Sequence, residues 1–347
     1  MRKKIGVGII GLGNIFPRHL DAVKKTNGLE LRAVCDTRKK IAQEIGRREN
    51  VNYYTDYHSL LQDETIDIVS VCTPNGLHFP IGMEIAKKGK HCIMEKPLAL
   101  NYSDAHKLVT LFKKQRKWLF PVLQVRYNPA IMALKKYVDK NSLGKIFSAS
   151  VVIRWSRPKE YFSSSPWKGS KKMDGGALLT QGIHYIDVMQ YILGPAKSVF
   201  GKVKKVIHTI ETEDTVNALI DFKSGAGGGT IEFTICAYPH NLECSLAVLG
   251  EKGTIKIGGP AMNVCEFWEV KDVPRPKIAK GLKPNIYESG GYVGSCPNHK
   301  YVYQNAVNAI FNNKSSSLSA NDALESIKII DGIKRSDITG KEIIFHF

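Results

Sequence analysis

The feature that most constrains this chain is the alternation of short apolar runs with helical patterns across residues 5–124. Ile5–Ile10, Leu31–Cys35, Ile68–Cys72, His91–Met94 and Leu119–Gln124 are too continuously apolar for a sheet with one wet face, and read as strands buried on both sides. Ile15–Lys25, Arg38–Glu49, Leu77–Lys88 and Tyr102–Lys117 carry helical spacing between them, and Asn101 with Asp104 supplies a start signal for the last. That alternation predicts an α/β domain, a doubly wound parallel sheet with right-handed crossovers.

After about Arg126 the period becomes two. Phe147 to Trp155, Val216 to Phe222, Ile231 to Ile235 and Cys244 to Val248 each alternate apolar and polar residues. One long helix, Ala177–Leu193, interrupts these strands, and two more, Tyr301–Phe311 and Ala320–Arg335, follow them. The division expected is residues 1–126, a Rossmann-type domain, and residues 127–347, an α+β domain with a large, mostly antiparallel open sheet. One face of that sheet would pack on helices and the other on a second subunit. Lys271–Ser295, rich in Pro, Lys and Gly, reads as a long surface loop.

Charge and cysteine usage narrow the function classes. Lys and Arg number 50 against 32 acidic residues, a net +18, but the basic residues are scattered in pairs such as Lys24-Lys25, Lys87-Lys88 and Lys204-Lys205. Such pairs suit solvated faces or an anionic small molecule. No helix-turn-helix or RNA-binding signature accompanies them, so no nucleic-acid partner is expected. No apolar run approaches the roughly 18 residues of a membrane span, so no membrane partner is expected either. The seven cysteines lack CxxC spacing, which predicts no metal site and suits a reducing cytosol. Arg2-Lys3-Lys4 before Ile5–Leu12 mimics a signal peptide without a cleavage site, so the expected location is cytoplasmic.

The chemistry-bearing motifs sit at strand ends. Gly11-Leu12-Gly13 leaves the first strand for a helix, where glycines let a backbone approach a pyrophosphate; a tight turn without ligand has the same signature. Phe16 stands where a third Gly or Ala is usual, and Pro17 suits a first helical turn. Asp36 ends the second strand, and either caps the next helix or accepts hydrogen bonds from a ribose 2′-hydroxyl, which favours NAD over NADP; Arg38 nearby keeps NADP open. Thr73-Pro74-Asn75 and Glu95-Lys96-Pro97 end two further strands at the edge where open α/β sheets bind ligands. In the second domain Thr180, His184 and Asp187 share one helical stripe, on which Asp187 can orient the imidazole; a lone helical His is otherwise structural.

GLGNI, TPNGLH, EKPLA and GGALLTQGIHYID, in this order and spacing, resemble the glucose–fructose oxidoreductase/inositol dehydrogenase family (Gfo/Idh/MocA). The resemblance spans nearly the whole chain. It implies an NAD-dependent sugar dehydrogenase whose C-terminal sheet builds homodimers or homotetramers. It assigns catalysis to Lys96 and His184, and cofactor binding to Gly11, Gly13, Asn14, Ile15, Asp36, Thr73, Asn75, His78, Glu95, Lys96 and Gln124. Many members carry an Asp where Thr180 stands here. Arg154 to Tyr161, Trp167-Lys168-Gly169 and His299 to Gln304 look like the branch that oxidises the 3-hydroxyl of UDP-N-acetylglucosaminuronate in surface-polysaccharide biosynthesis. That likeness implies substrate contacts from Lys96, Arg157, Tyr161, Trp167, Lys168, Thr180, Gln181, His184 and His299. Two other readings stay open: a family member acting on inositol or another sugar, and a non-catalytic NAD-sensing or nucleic-acid-binding protein.

Overall fold

The computed structural model of the chain describes residues 4–287, 292–312 and 316–346. These form two compact units: the residues up to Leu123 together with His299–Leu324, and Gln124–Asn298 together with the residues from Glu325 on.

In the first unit β1 (Ile5–Ile10), β2 (Leu29–Cys35), β3 (Asn52–Tyr54), β4 (Ile68–Val71), β5 (His91–Met94) and β6 (Leu119–Pro121) pair in parallel in the order β3-β2-β1-β4-β5-β6. Strand order reverses at β1, the switch point where such sheets bind ligands. The apolar runs predict buried strands, and β1 and β4 are buried throughout. The crossovers are α1 (Phe16–Lys25), α2 (Lys39–Glu49), α3 (Tyr57–Gln62), α4 (His78–Lys87) and α5 (Tyr102–Lys114). Asn101 does start α5, accepting the Asp104 N–H at 2.9 Å. β3 and α3 escape the sequence reading because one is three largely exposed residues and the other a six-residue helix held by its Asp56 cap. The fifth predicted strand stops at Pro121, and Gln124–Tyr127 turn as a 3₁₀ helix.

The second unit holds α6 (Pro129–Asp139), β7 (Ile146–Arg154), α7 (Lys159–Ser163), α8 (Ile183–Leu193), β8 (Ala196–Lys204), β9 (Thr215–Phe222), β10 (Gly229–Thr234), β11 (Glu243–Gly250), β12 (Gly253–Gly258) and β13 (Val264–Val270). Inside the predicted loop Lys271–Ser295 lies a short hairpin, β14 (Ile286–Tyr287) with β15 (Tyr292–Val293); residues 288–291 of that stretch lie outside the described residues. The chain continues through α9 (His299–Asn312) and α10 (Ala320–Thr339) to β16 (Ile343–Ile344). Eight strands make one sheet, β13-β12-β11-β7-β10-β9-β8-β16, in which only the β7–β10 pairing is parallel. Its alternation is clear on β9, where Val216, Ala218, Ile220 and Phe222 are buried and Asn217, Leu219 and Asp221 exposed.

The units do not follow a single cut at residue 126, because His299–Leu324 returns to the first. α9 packs on α1. Its Tyr303 is fully buried, with the hydroxyl 2.8 Å from His19 Nδ1 and 2.6 Å from Ser70 Oγ.

α8 buries every residue but Tyr191. A charge inside such a helix needs a partner. Asp187, 0% exposed, accepts two hydrogen bonds from Arg126, 4% exposed, at 2.7 Å from Nε and 2.6 Å from Nη2. Asp187→Ala would leave the Arg126 charge buried without its carboxylate, a loss of about 3–5 kcal/mol. Urea unfolding at neutral pH checks this; a change under about 1 kcal/mol would mean the pair is dispensable.

Candidate active site

At the carboxyl edge of the parallel sheet the backbone is shaped by contact. Gly11 has φ +92°, and a Cβ there would stand 2.7 Å from the Cys72 carbonyl, so no other residue fits the turn. At Gly13 a Cβ would meet nothing within 4 Å, which leaves the backbone face open. Asn14 and Ile15 lead into α1, Ile15 at its N-cap; the buried Phe16 is the first helical residue, its N–H 3.1 Å from the Gly13 carbonyl. Thr73 Oγ1 is buried without a hydrogen-bond partner among the described residues. Asn75 is buried in the short turn before α4. An open glycine face, an orphaned hydroxyl and a carboxylate at the end of β2 are the features a dinucleotide requires, and the residues fit NAD.

That carboxylate does not cap a helix, since the N-cap of α2 is Arg38. Asp36 Oδ2 accepts the Leu12 N–H at 2.9 Å and Arg38 Nη2 at 2.8 Å, while Oδ1 accepts Arg38 Nε at 2.9 Å. Burial pushes the Asp36 carboxyl up, but these donors outweigh it and hold it below its ordinary value.

Lys96 follows β5 and is half-buried; its peptide bond to Pro97 is cis. Glu95 turns inward, where His19 Nε2 lies 2.9 Å from Oε1 and His299 Nε2 3.4 Å. Burial opposes the Glu95 charge, and the two imidazoles keep the carboxyl well below its usual range. Glu95 is thus committed to His19 within the first unit. His299, expected to touch substrate, is 2% exposed, about as buried as Arg157 and His184, and packs edge-on against His19. His78, expected at the cofactor, turns its two ring nitrogens to the Pro97 and Thr73 carbonyls.

In the second unit Arg157 is 3% exposed, and its guanidinium faces three rings: Trp155 at 4.6 Å, Tyr292 at 4.7 Å and Tyr161 at 5.5 Å from their centroids. Nη1 donates to the Ser156 carbonyl at 2.7 Å, and Nη2 to that of Val293 at 3.3 Å. Lys168 Nζ lies 4.0 Å from the Tyr161 centroid and donates to Ser164 Oγ at 3.0 Å. Burial pushes this ammonium down, with Asp174 opposing. Trp167, part-exposed, precedes it. The segment is braced by His208, whose Nε2 lies 2.8 Å from the Arg157 carbonyl and Nδ1 3.1 Å from Asp214. Burial pushes Asp214 up, but N–H donors from His208, Ile207 and Val206 hold it at about 2.

The predicted single helix Ala177–Leu193 has a π turn, Leu178–Gly182, before α8. Its i→i+5 bonding widens the turn that carries Thr180 and Gln181, a distortion frequent at functional sites. Thr180 Oγ1 donates to the Asp174 carboxylate, a close contact, and Asp174 Oδ2 accepts the Gly169 N–H at 2.6 Å. A carboxylate therefore does stand beside Thr180, supplied six residues upstream. Gln181 Oε1 is buried without a hydrogen-bond partner among the described residues. His184 is buried in the first turn of α8, and Asp187, expected to orient it, is bound by Arg126. Gln124, expected at the cofactor, lies in the second unit and donates from Nε2 to Ser295 Oγ at 3.0 Å. Asp174 and Tyr292 carry no local sequence pattern that would mark them, whereas Trp155 ends the alternating run from Phe147.

A doubly wound sheet with this edge has the architecture of a dinucleotide-binding domain. Residues 5–122 match the model of the oxidoreductase family with NAD-binding Rossmann fold, and residues 131–256 match the GFO/IDH/MocA C-terminal domain. The chain belongs to the Gfo/Idh/MocA family, whose NAD-dependent members act on sugar hydroxyls. The WlbA dehydrogenase from Bordetella pertussis, solved in complex with NADH and UDP-GlcNAcA, is 30% identical with a TM-score of 0.89, over 99% of this chain and 100% of that one. Myo-inositol 2-dehydrogenase of Thermotoga maritima is 29% identical over 255 residues, 72% of this chain and 74% of that protein. Inositol 2-dehydrogenase/D-chiro-inositol 3-dehydrogenase of Lactiplantibacillus plantarum is 29% identical over 264 residues, 72% of this chain and 71% of that protein.

Asp36→Ala would remove a charge that repels a 2′-phosphate and release Arg38 to meet one. The ratio of NADP to NAD affinity should rise at least about tenfold, measured by fluorescence titration of both nucleotides. An unchanged ratio would move cofactor choice away from this pair.

Proposed function

We propose that the protein oxidises the 3-hydroxyl of UDP-N-acetylglucosaminuronic acid to a ketone. The observation that carries this reading is the Arg157–Lys168 pair, two cations held against the same two tyrosine rings, Tyr161 and Tyr292. Such a pair suits a diphosphate or a uronate, and Arg suits bidentate contact with either. The likeness over the full length to a dehydrogenase solved with NADH and UDP-GlcNAcA supports the same substrate.

In this reading NAD, when bound, accepts the hydride from C3. Lys96 presents an ammonium that polarises the hydroxyl oxygen, and the His184 imidazole takes the hydroxyl proton as the C=O bond forms. Thr180, already donating to Asp174, has lone pairs left to accept a hydrogen bond but is no base at neutral pH. Gly11, Gly13, Asn14, Ile15, Asp36, Thr73 and Asn75 hold the nucleotide. Tyr161, Trp167 and Gln181 contact the sugar or its base.

NADH formation should be compared on UDP-N-acetylglucosaminuronate, UDP-N-acetylglucosamine, myo-inositol and glucose. The acidic nucleotide sugar should have the highest kcat/KM, and Lys96→Ala and His184→Ala should each lower kcat on it by about 10²–10⁴. Comparable kcat/KM on an uncharged sugar would overturn the substrate and favour the inositol dehydrogenase reading that the curated relatives suggest.

The same reading makes the protein a homo-oligomer through its open sheet. Phe147, Phe200, Leu219, Leu249 and Phe267 are exposed large apolar residues on five strands of that sheet, and Phe200 and Leu219 are paired neighbours. A second copy of the chain would cover them. Sedimentation should give a dimer or tetramer, and Leu219→Asp should shift it toward monomer; a monomeric wild type would overturn the assignment.

A further inference from the structure

His78 opens α4 and is 1% exposed. Its Nδ1 lies 2.7 Å from the Pro97 carbonyl oxygen and its Nε2 2.9 Å from that of Thr73. These carbonyls belong to two separate loops of the nucleotide edge: the one after β5, which carries Lys96, and the one after β4, which carries Thr73 and Asn75. Neither carbonyl can donate. A neutral imidazole offers one N–H and one lone pair, so it bonds one carbonyl and sets its lone pair against the other. Only a ring with a proton on each nitrogen holds both.

The surroundings pull in both directions. Burial disfavours the charged ring most strongly and lowers its pKa, and the nearby Lys96 adds to that; the two carbonyls and Glu95 favour the proton.

We propose that His78 is a positioning residue that ties the Lys96 loop to the Thr73–Asn75 loop, holding both when protonated and only the first when neutral. The shorter contact, to Pro97, is the one the neutral ring keeps. This inference rests on the roles assigned above to Lys96 in proton handling and to Thr73 and Asn75 in nucleotide binding. It gives the site a reason to place a titratable ring where a fixed donor would serve one loop alone. Loss of the Nε2 proton frees the Thr73 loop, so NAD binding weakens as pH rises while the Lys96 loop stays fastened.

Two substitutions separate the ties. His78→Asn places an amide nitrogen near the position of Nδ1, and His78→Gln places one near that of Nε2; neither titrates in the working range. Steady-state kcat and KM for NAD are measured from about pH 4.5 to 7.5, a window set low because burial lowers this ring's pKa, for wild type, both variants and Lys96→Ala, with thermal melts alongside. His78→Asn should raise KM for NAD about tenfold with at most a threefold or so loss in kcat, and His78→Gln should lower kcat about tenfold with KM changed less than about threefold. The wild-type KM for NAD should rise with pH, and that of both variants should be flat.

Variants in which kcat and KM change in equal proportion, or which keep the wild-type pH dependence of KM, would overturn the inference. If one variant fails to fold, the other and the wild-type profile decide, since a pH-independent wild-type KM overturns it by itself. Near-normal turnover in Lys96→Ala would instead overturn the site reading. An inactive Lys96→Ala beside unsplit His78 variants would overturn this inference alone.

Discussion

The pairing of Asp187 with Arg126 is the constraint on which the second unit depends. Both groups are out of water, and an unmatched charge there would cost several kcal/mol. The two donors and two oxygens match in a planar fork, so the pair fixes direction as well as distance. One end sits in the Gln124–Tyr127 turn and the other in α8, the helix that carries His184. Ser326 reaches the same carboxylate from α10 at 3.2 Å, so a third segment is anchored to it.

The same rule runs through the rest of the molecule with different partners. Asp36 is matched by a cation and two backbone N–H groups, Glu95 by two imidazoles, and Asp214 by three backbone N–H groups and a ring. Arg157 is a buried cation with contacts to carbonyls, an amide oxygen and aromatic faces. A guanidinium is weakly hydrated and tolerates such a setting better than an ammonium would.

Periodicity carried the first unit because strands buried on both faces leave unbroken apolar runs, and the loops between them end at residues with distinctive chemistry. In the second unit the alternation marked β7, β9, β10 and β11 but not β8, β12 or β13. β12 is six residues bounded by glycines, and a register shift where it pairs with β13 breaks the period of two. The π turn at Leu178–Gly182 was illegible because its residues are as compatible with an α-helix. Asp174 and Tyr292 act through contacts with Thr180 and Arg157 that no local spacing encodes. His78 was noticed as part of a motif, but its task, bonding two backbone carbonyls, becomes visible only when the loops after β4 and β5 are side by side.

The return of His299–Leu324 to the first unit has a consequence for how this architecture can be recombined. A nucleotide module lifted out as one continuous stretch would leave behind α9, and with it the Tyr303 hydroxyl that meets His19 and Ser70 and the imidazole that faces Glu95. The buried Glu95 would then keep its contact with His19 but lose the one with His299, directly before Lys96 in the chain. Exchange of cofactor halves between relatives is therefore a two-segment operation, and shuffling at a single crossover would select against itself by weakening the strand end that carries the lysine.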